Sequence, residues 1–235
     1  MVKKKKKSKN MVERYHGPLI ENEVVLGYIK FVPWFTLVIS GIIFWMMTIG
    51  NLTGIYRTLF GMCTYYSAFA IFISFFDKFI LKFKSFVYLL ISLIFLVLTI
   101  DLSCITLLLI SQGGFSSEMM VVFVYIELGL FLISSSVYAW YYLPKNQGKI
   151  WAINQWETYV NILENKKLMK FLKSLSGIVI ALIVIAICLD HENYVECVFG
   201  VLNGILDLFA FPALVVDAIY GAIYIRENPS YDELR

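Results

Sequence analysis

The sequence predicts an all-α, polytopic integral membrane protein with six transmembrane helices and both termini in the cytoplasm. Three observations indicate this class. Of the 235 residues, 60% are hydrophobic and only 16% charged, which excludes a water-soluble domain, because about a quarter of such a domain is charged. Six apolar runs meet or approach the roughly 20 residues that a membrane-spanning helix needs. Of the 20 Lys and Arg residues, 19 fall on one side of the resulting layout.

The predicted spans are the long apolar runs of the sequence, taken here in chain order. Five runs reach span length directly, and they lie at 31–49, 58–76, 85–110, 119–143 and 197–225. The sixth, within 174–189, reaches span length only when it starts near residue 171. Each connection between spans contains polar or turn residues, as expected where a span ends. The connections are 51–54, 77–84, 111–114, 144–173 and 190–196.

The distribution of Lys and Arg sets the orientation, because positively charged loops resist translocation. The tail 1–30, the second and fourth loops and the tail 226–235 share one side, and Arg57 is the one basic residue on the other. Both termini are therefore expected on the cytoplasmic side of the membrane. The membrane is expected to be the plasma membrane of a bacterium. One role for the lysine run Lys3 to Lys7 is attraction to anionic lipid, which contributes about 1 kcal/mol of binding free energy per basic residue. The alternative is that the run only determines the topology.

The cytoplasmic segment 144–173 is predicted to contain an amphipathic helix lying in the membrane interface. Apolar residues recur there at three- and four-residue steps, with polar residues around the rest of the helical wheel. The residues of this predicted interfacial helix are Trp151, Ile153, Trp156, Val160 and Leu163. Docking of a cytoplasmic partner is an alternative role for the same helix.

Four acidic residues fall inside predicted spans, and these spans contain no Lys, Arg or His. They are Asp101, Glu127, Asp207 and Asp217. Each costs roughly 2.5–3.5 kcal/mol at a helix centre, so none is expected to face lipid. Counting residues from the outer span ends at 1.5 Å per residue places the first three roughly 12–15 Å deep, in one layer. Asp217 lies about 15 Å nearer the cytoplasm.

The last span carries a predicted helix-packing face. Gly200 and Gly204 have the small-xxx-small spacing that lets two helix backbones approach closely, and Pro212 removes one backbone hydrogen bond between the two aspartates. The residues of this face are Gly200, Asn203, Gly204, Asp207 and Pro212.

Two interpretations of the buried acids remain open. In one, the acids form a proton or cation path, since a carboxyl group buried without a cation favours its neutral form. In the other, each acid is protonated and only joins helices through nearby polar groups. The groups available for that role are Ser103, Tyr125, Ser134 and Asn203.

The sequence predicts no enzyme, no cofactor, no metal site and no nucleic-acid binding. His16 lies in the tail and His191 in an outer loop, so no dyad with histidine can form inside a span. Cys188 and Cys197 flank the last outer loop, where their spacing allows a disulfide.

The six-span plan is similar in outline to the small permease subunits that pair with an ATPase, except that it has the thirty-residue segment 144–173 where those have a short turn. The composition resembles that of small bacterial membrane proteins, including immunity and secretion-accessory proteins. The first hypothesis is a non-enzymatic accessory or immunity-type subunit that binds a membrane-protein partner or itself through helix contacts. The alternatives are a small proton- or cation-linked transporter and a permease subunit.

Overall fold

The computed structural model describes residues 24–50, 54–112, 117–142 and 192–227, and the regular structure in these residues is entirely helical. A short 3-10 helix at Leu26–Lys30 comes first. The α-helices are α1 (Val32–Ile49), α2 (Ile55–Ser74), α3 (Asp77–Lys82), α4 (Lys84–Gln112), α5 (Ser117–Tyr142) and α6 (Glu192–Glu227). The all-α class predicted from the sequence is confirmed for the described residues.

Three of these helices are long and apolar enough to cross a membrane, which indicates an integral membrane protein. Their qualifying segments are Val32–Ile49, Lys84–Ile110 and Val121–Trp140. Helices α2 and α6 lie where two further spans are predicted. The predicted span at about 171–189 and the interfacial helix lie outside the described residues.

Local sequence explains where the first helices begin and end. Pro33 stands in the first turn of α1, where its missing N–H costs no helix hydrogen bond. Gly54 precedes α2 with a φ of 112°, a conformation that favours glycine. The connection 77–84, predicted from the polar residues that separate two spans, contains the six-residue helix α3. Asp77 is the first residue of α3 and Lys82 is the last, so each charge interacts favourably with the helix dipole.

Helix α4 is the centre of the bundle. It packs most extensively against α6, whereas α1 pairs with α2, and α5 packs mainly against α6. The largest core cluster surrounds the first half of α4, with Tyr88, Ile91 and Ile94 almost fully buried. Val24 and Ile29 belong to the same cluster. Two residues of the segment that the sequence assigns to the tail 1–30 are therefore part of the packed core.

Hydrogen bonds fix α6 antiparallel to α4. The Ser85 hydroxyl donates to the Ala222 carbonyl at 2.8 Å, and the Ser92 hydroxyl donates to the Val215 carbonyl at 3.2 Å. As the chain advances along α4, its partners in α6 therefore step backwards. Serine hydroxyls that bond between helices are typical of packing inside a membrane.

Helices α5 and α6 run parallel. A Cβ built at Gly204 would lie 3.6 Å from Phe123 Cζ, and Tyr138 of α5 clusters with Ala213 and Val216 of α6. Later residues of α5 thus meet later residues of α6.

Candidate functional site

Three buried carboxyl groups lie at one level of the bundle. Asp101 of α4 is 0% exposed, Asp207 of α6 is 1% exposed and Glu127 of α5 is 7% exposed. In the antiparallel register of α4 and α6, Asp207 lies level with the turn of α4 that holds Asp101. Glu127 contacts α4 two residues further along, at Ser103. The helices therefore bring the three acids to a common depth.

Asp101 is hydrogen-bonded to α1. Its Oδ2 accepts a hydrogen bond of 2.6 Å from the hydroxyl of Ser40, which is itself 0% exposed. The Cys63 thiol of α2 lies close enough to interact electrostatically with the same carboxyl group. Among the described residues, Asp101 Oδ1 has no hydrogen-bond partner. Asp101 therefore faces the α1–α2 hairpin.

Glu127 lies on the other side of α4. Its Oε1 accepts a hydrogen bond of 3.0 Å from the Ser103 hydroxyl. Asp101 and Ser103 are two residues apart in α4, which places them about 200° apart around the helix axis. The body of α4 thus separates Asp101 from Glu127. The acids share a level, but they do not form one cluster.

Asp207 has the weakest hydrogen bonding of the three acids. Asn203 Nδ2 donates to the Thr106 hydroxyl at 2.8 Å and to the Leu102 carbonyl at 3.3 Å, but reaches Asp207 Oδ2 only at 3.5 Å. The last distance lies beyond the usual range of an N–H···O bond. Asp207 Oδ1 is buried and has no partner in the part of the chain that the structure describes. Asp207 therefore keeps free capacity to bind a proton or a cation.

Glu127 and Asp207 are neighbours across the interface of α5 and α6. Phe123 and Gly204 face each other, and each acid lies about one turn further along its helix. Because the helices are parallel, the two carboxyl groups lie at one level of this interface, within electrostatic range of each other. Two ionised carboxylates repel strongly in a medium of low dielectric constant. The pair is therefore suited to hold a proton or a cation.

Asp217 belongs to a different place in the fold. It is 0% exposed, and its Oδ2 accepts a hydrogen bond of 2.7 Å from the backbone N–H of Val24. The sequence groups Asp217 with the candidate ion path, and in the structure this hydrogen bond ties the segment before α1 to the second half of α6. A main-chain donor leaves no signature in a sequence, so Val24 could not have been predicted as its partner.

The glycine face of α6 is covered by α4. A Cβ at Gly200 would lie 3.0 Å from both Ile110 Cγ1 and Leu109 Cβ, and a Cβ at Gly204 would lie 3.3 Å from Thr106 Cγ2. The two glycines therefore allow a close contact within the chain and are not open to a second protein. Pro212 is buried, and α6 continues on both sides of it.

Ser40 and Thr106 are the partners that sequence analysis missed. Of the groups it named, Ser103 and Asn203 do contact the acids or their surroundings, whereas Tyr125 is 71% exposed. The sequence does contain a signal for Ser40, because Thr36 precedes it by one helical turn inside an apolar span. In the structure both side chains are 0% exposed. Small hydroxyl residues at this spacing are typical of helix interfaces.

No protein-family model, curated protein or solved structure matches this chain. Within the described residues, no group of three or more His, Cys, Asp or Glu side chains is placed to hold a metal ion. Several predicted residues have no described side chain. Cys188 and the interfacial-helix residues Trp151, Ile153, Trp156, Val160 and Leu163 lie outside the described residues, and Cys197 is described only as part of α6. The disulfide therefore stays a prediction.

Proposed function

We propose that the chain crosses the membrane six times, with both termini in the cytoplasm. The parallel packing of α5 and α6 supports this count. If both helices cross in the same direction, residues 143–191 between them have to cross back an odd number of times. That stretch contains one apolar run of span length, near 171–189. The basic residues then support a cytoplasmic N- and C-terminus in a plasma membrane, such as that of a bacterium.

We propose that the protein is a small transporter that couples to protons or cations, with Glu127 and Asp207 as the ion-binding pair. The observation that carries the proposal is the Asp207 carboxyl group, which is 1% exposed and has an Oδ1 without a partner among the described residues. Buried polar atoms without partners are rare, and each calls for an explanation. Acids inside a membrane commonly mark the path of an ion.

A role in joining helices accounts for Asp101 and Glu127 better than for Asp207. The first two accept hydrogen bonds from serines on neighbouring helices, at 2.6 and 3.0 Å. Among the residues that the structure describes, Asp207 receives only the 3.5 Å contact from Asn203 within its own helix. It therefore carries the desolvation cost of a buried acid, and no hydrogen bond from another described helix offsets that cost. A bound proton or cation would offset that cost.

Movement of α5 offers a way to load and release the ion. Among the described helices, α5 packs mainly against α6, and most of its large apolar side chains face outwards. Elements with few packing contacts are those that open most easily. Separation of α5 from α6 would expose the Glu127 and Asp207 carboxyl groups, and closure would bury them again.

The other hypotheses have less support from the described residues. The accessory-subunit hypothesis relied on Gly200 and Gly204, which contact α4 of the same chain. Its second surface, the interfacial helix, lies outside the described residues. The permease-subunit alternative is weakened by the thirty-residue segment 144–173, which stands where those subunits have a short turn. A membrane-protein partner or a homo-oligomer would have to use another face.

Flux measurements test the transport proposal. The purified protein is reconstituted in liposomes that contain a pH-sensitive dye, a potential is imposed, and parallel samples vary the external Na⁺ and K⁺. We expect a wild-type flux that Asp207→Asn and Glu127→Gln each lower at least tenfold. Glu118→Gln is the matched control, because Glu118 is an exposed acid on the same helix as Glu127.

Asp101→Asn provides a second control. Asp101 lies on the far side of α4 from the pair, so this variant is expected to keep its flux. Elution as a single species and unchanged helical circular dichroism establish that each variant is folded. Wild-type flux in folded Asp207→Asn and Glu127→Gln would rule out the pair as the ion site.

A further inference from the structure

A groove of about 430 Å³ lies between α1 and α2, next to the turn that joins them. Phe44, Met62 and Tyr65 line its length, and Arg57 lies near the end of the groove closest to the turn. Met62 and Tyr65 are 64% and 75% exposed, so the groove opens away from the centre of the bundle. It is separate from the Glu127–Asp207 pair.

Arg57 is the charged group of this groove. The sequence places it alone on the outer side of the membrane, opposite 19 other basic residues. Its guanidinium carbon lies 6.0 Å from the centre of the Phe44 ring. Within the described ranges, no acidic side chain forms an ion pair with it. The Phe44 contact holds one face of the guanidinium and leaves its N–H groups available to an anion.

The absence of a side chain at Gly61 shapes the wall of the groove. A Cβ there would lie 3.2 Å from Phe44 Cε2, so glycine lets the Phe44 ring pack directly on α2. The ring is thereby held beside Arg57. The groove thus has a cationic group near one end and apolar side chains along the rest. These two parts match the phosphate headgroup and the acyl chain of a phospholipid.

We propose that this groove binds a membrane phospholipid, with its phosphate at Arg57 and an acyl chain along Phe44, Met62 and Tyr65. A guanidinium group binds phosphate oxygens through two parallel N–H···O bonds, which gives both strength and orientation. The acyl chain would cover apolar side chains along the groove. The proposal relies on the proposed topology for the choice of the outer leaflet, and it is independent of ion transport.

Native mass spectrometry tests the proposal. The purified protein is stripped of lipid in detergent and titrated with phosphatidylglycerol, and the protein–lipid complex is counted at each concentration. We expect one saturable phospholipid per chain. Arg57→Gln should weaken binding about tenfold, the effect of losing a charge-assisted hydrogen bond. Inorganic phosphate alone, at the same concentrations, should not compete, which distinguishes a phospholipid from a free anion.

Two further variants make the test specific. Met62→Trp fills the apolar part of the groove at an exposed position without altering charge, and it should weaken lipid binding by a similar factor. Lys82→Gln is the control, because the Lys82 ammonium lies 5.4 Å from the centre of the Phe83 ring but does not line the groove. Unchanged lipid binding in both Arg57→Gln and Met62→Trp, or equal weakening by Lys82→Gln, would overturn the proposal. Displacement of the lipid by inorganic phosphate would also overturn it.

Discussion

The backbone N–H of Val24 donates a 2.7 Å hydrogen bond to the carboxyl group of Asp217, a residue 193 positions later in the chain. Both residues are 0% exposed. The bond joins the segment before α1 to the second half of α6, and Val24 and Ile29 of that segment belong to the core around α4. A carboxyl group that the sequence groups with the candidate ion path therefore also links two segments that are far apart in the chain.

We predict that Asp217→Ala lowers the free energy of unfolding by about 1–3 kcal/mol, because it leaves the buried Val24 N–H without this acceptor. Asp217→Asn keeps an acceptor oxygen and should cost less. Thermal unfolding in detergent, followed by circular dichroism, measures both. Equal losses for the two variants would contradict this linking role, and neither variant should abolish ion flux.

Gly200→Ala should destabilise the protein by about 1–3 kcal/mol, since the added methyl group overpacks the contact with α4. Its Cβ would lie 3.0 Å from Leu109 Cβ and 3.2 Å from the Thr106 carbonyl oxygen, which cannot move aside independently. Gly129→Ala is the matched control. No atom lies within 4 Å of a Cβ at Gly129, so alanine there should be neutral or stabilise α5 by up to about 1 kcal/mol.

The stability of the two glycine variants can be compared by denaturant unfolding under identical detergent conditions. A loss for Gly129→Ala as large as for Gly200→Ala would mean that the close approach of α6 to α4 is not what glycine provides at residue 200.

Removal of one serine hydroxyl should distinguish the two sides of α4. Ser103→Ala deprives Glu127 of its 3.0 Å hydrogen bond and should lower ion flux severalfold. Ser40→Ala removes the 2.6 Å bond to Asp101, which should lower stability by about 1 kcal/mol and leave flux unchanged. Liposome flux and thermal unfolding are measured on both. A flux loss for Ser40→Ala equal to that for Ser103→Ala would place Asp101 in the ion path.

Cysteine labelling tests the proposed topology. In a background with Cys188 and Cys197 replaced by serine, Gly113→Cys and Asn193→Cys should react with a thiol reagent that cannot cross the membrane. Gly148→Cys should react only after the membrane is permeabilised. Labelling of Gly148→Cys in intact cells would contradict the proposed orientation and the crossing count together.

Apolar run length was sufficient to predict the long helices of the described residues, but it missed the short helix α3, which lies in a polar connection. The predicted run 85–110 and the observed α4 at Lys84–Gln112 differ by only a few residues. Residue counting from span ends was likewise sufficient to place Asp101 and Asp207 at one depth, because the rise per residue is constant.

Rotation about each helix axis was not predictable. In a membrane protein the lipid-facing and core-facing sides are both apolar, so hydrophobic periodicity does not reveal which side is buried. The sequence therefore could not indicate that Asp101 faces α1 while Glu127 faces the other side of α4. For the same reason it could not indicate that α4, and not a second protein, covers Gly200.

The pairing of α4 with α6 has a consequence for biosynthesis. The two helices are 80 residues apart, from Gln112 to Glu192, and at 5–20 residues per second the ribosome needs roughly 4–16 s to make the connection. During that interval Ser85, Ser92 and Thr106 have no access to the groups of α6 that they bond in the finished protein. The central helix α4 therefore lacks its most extensive contact until α6 has been synthesised, so the packing of α6 against α4 is a late step in folding.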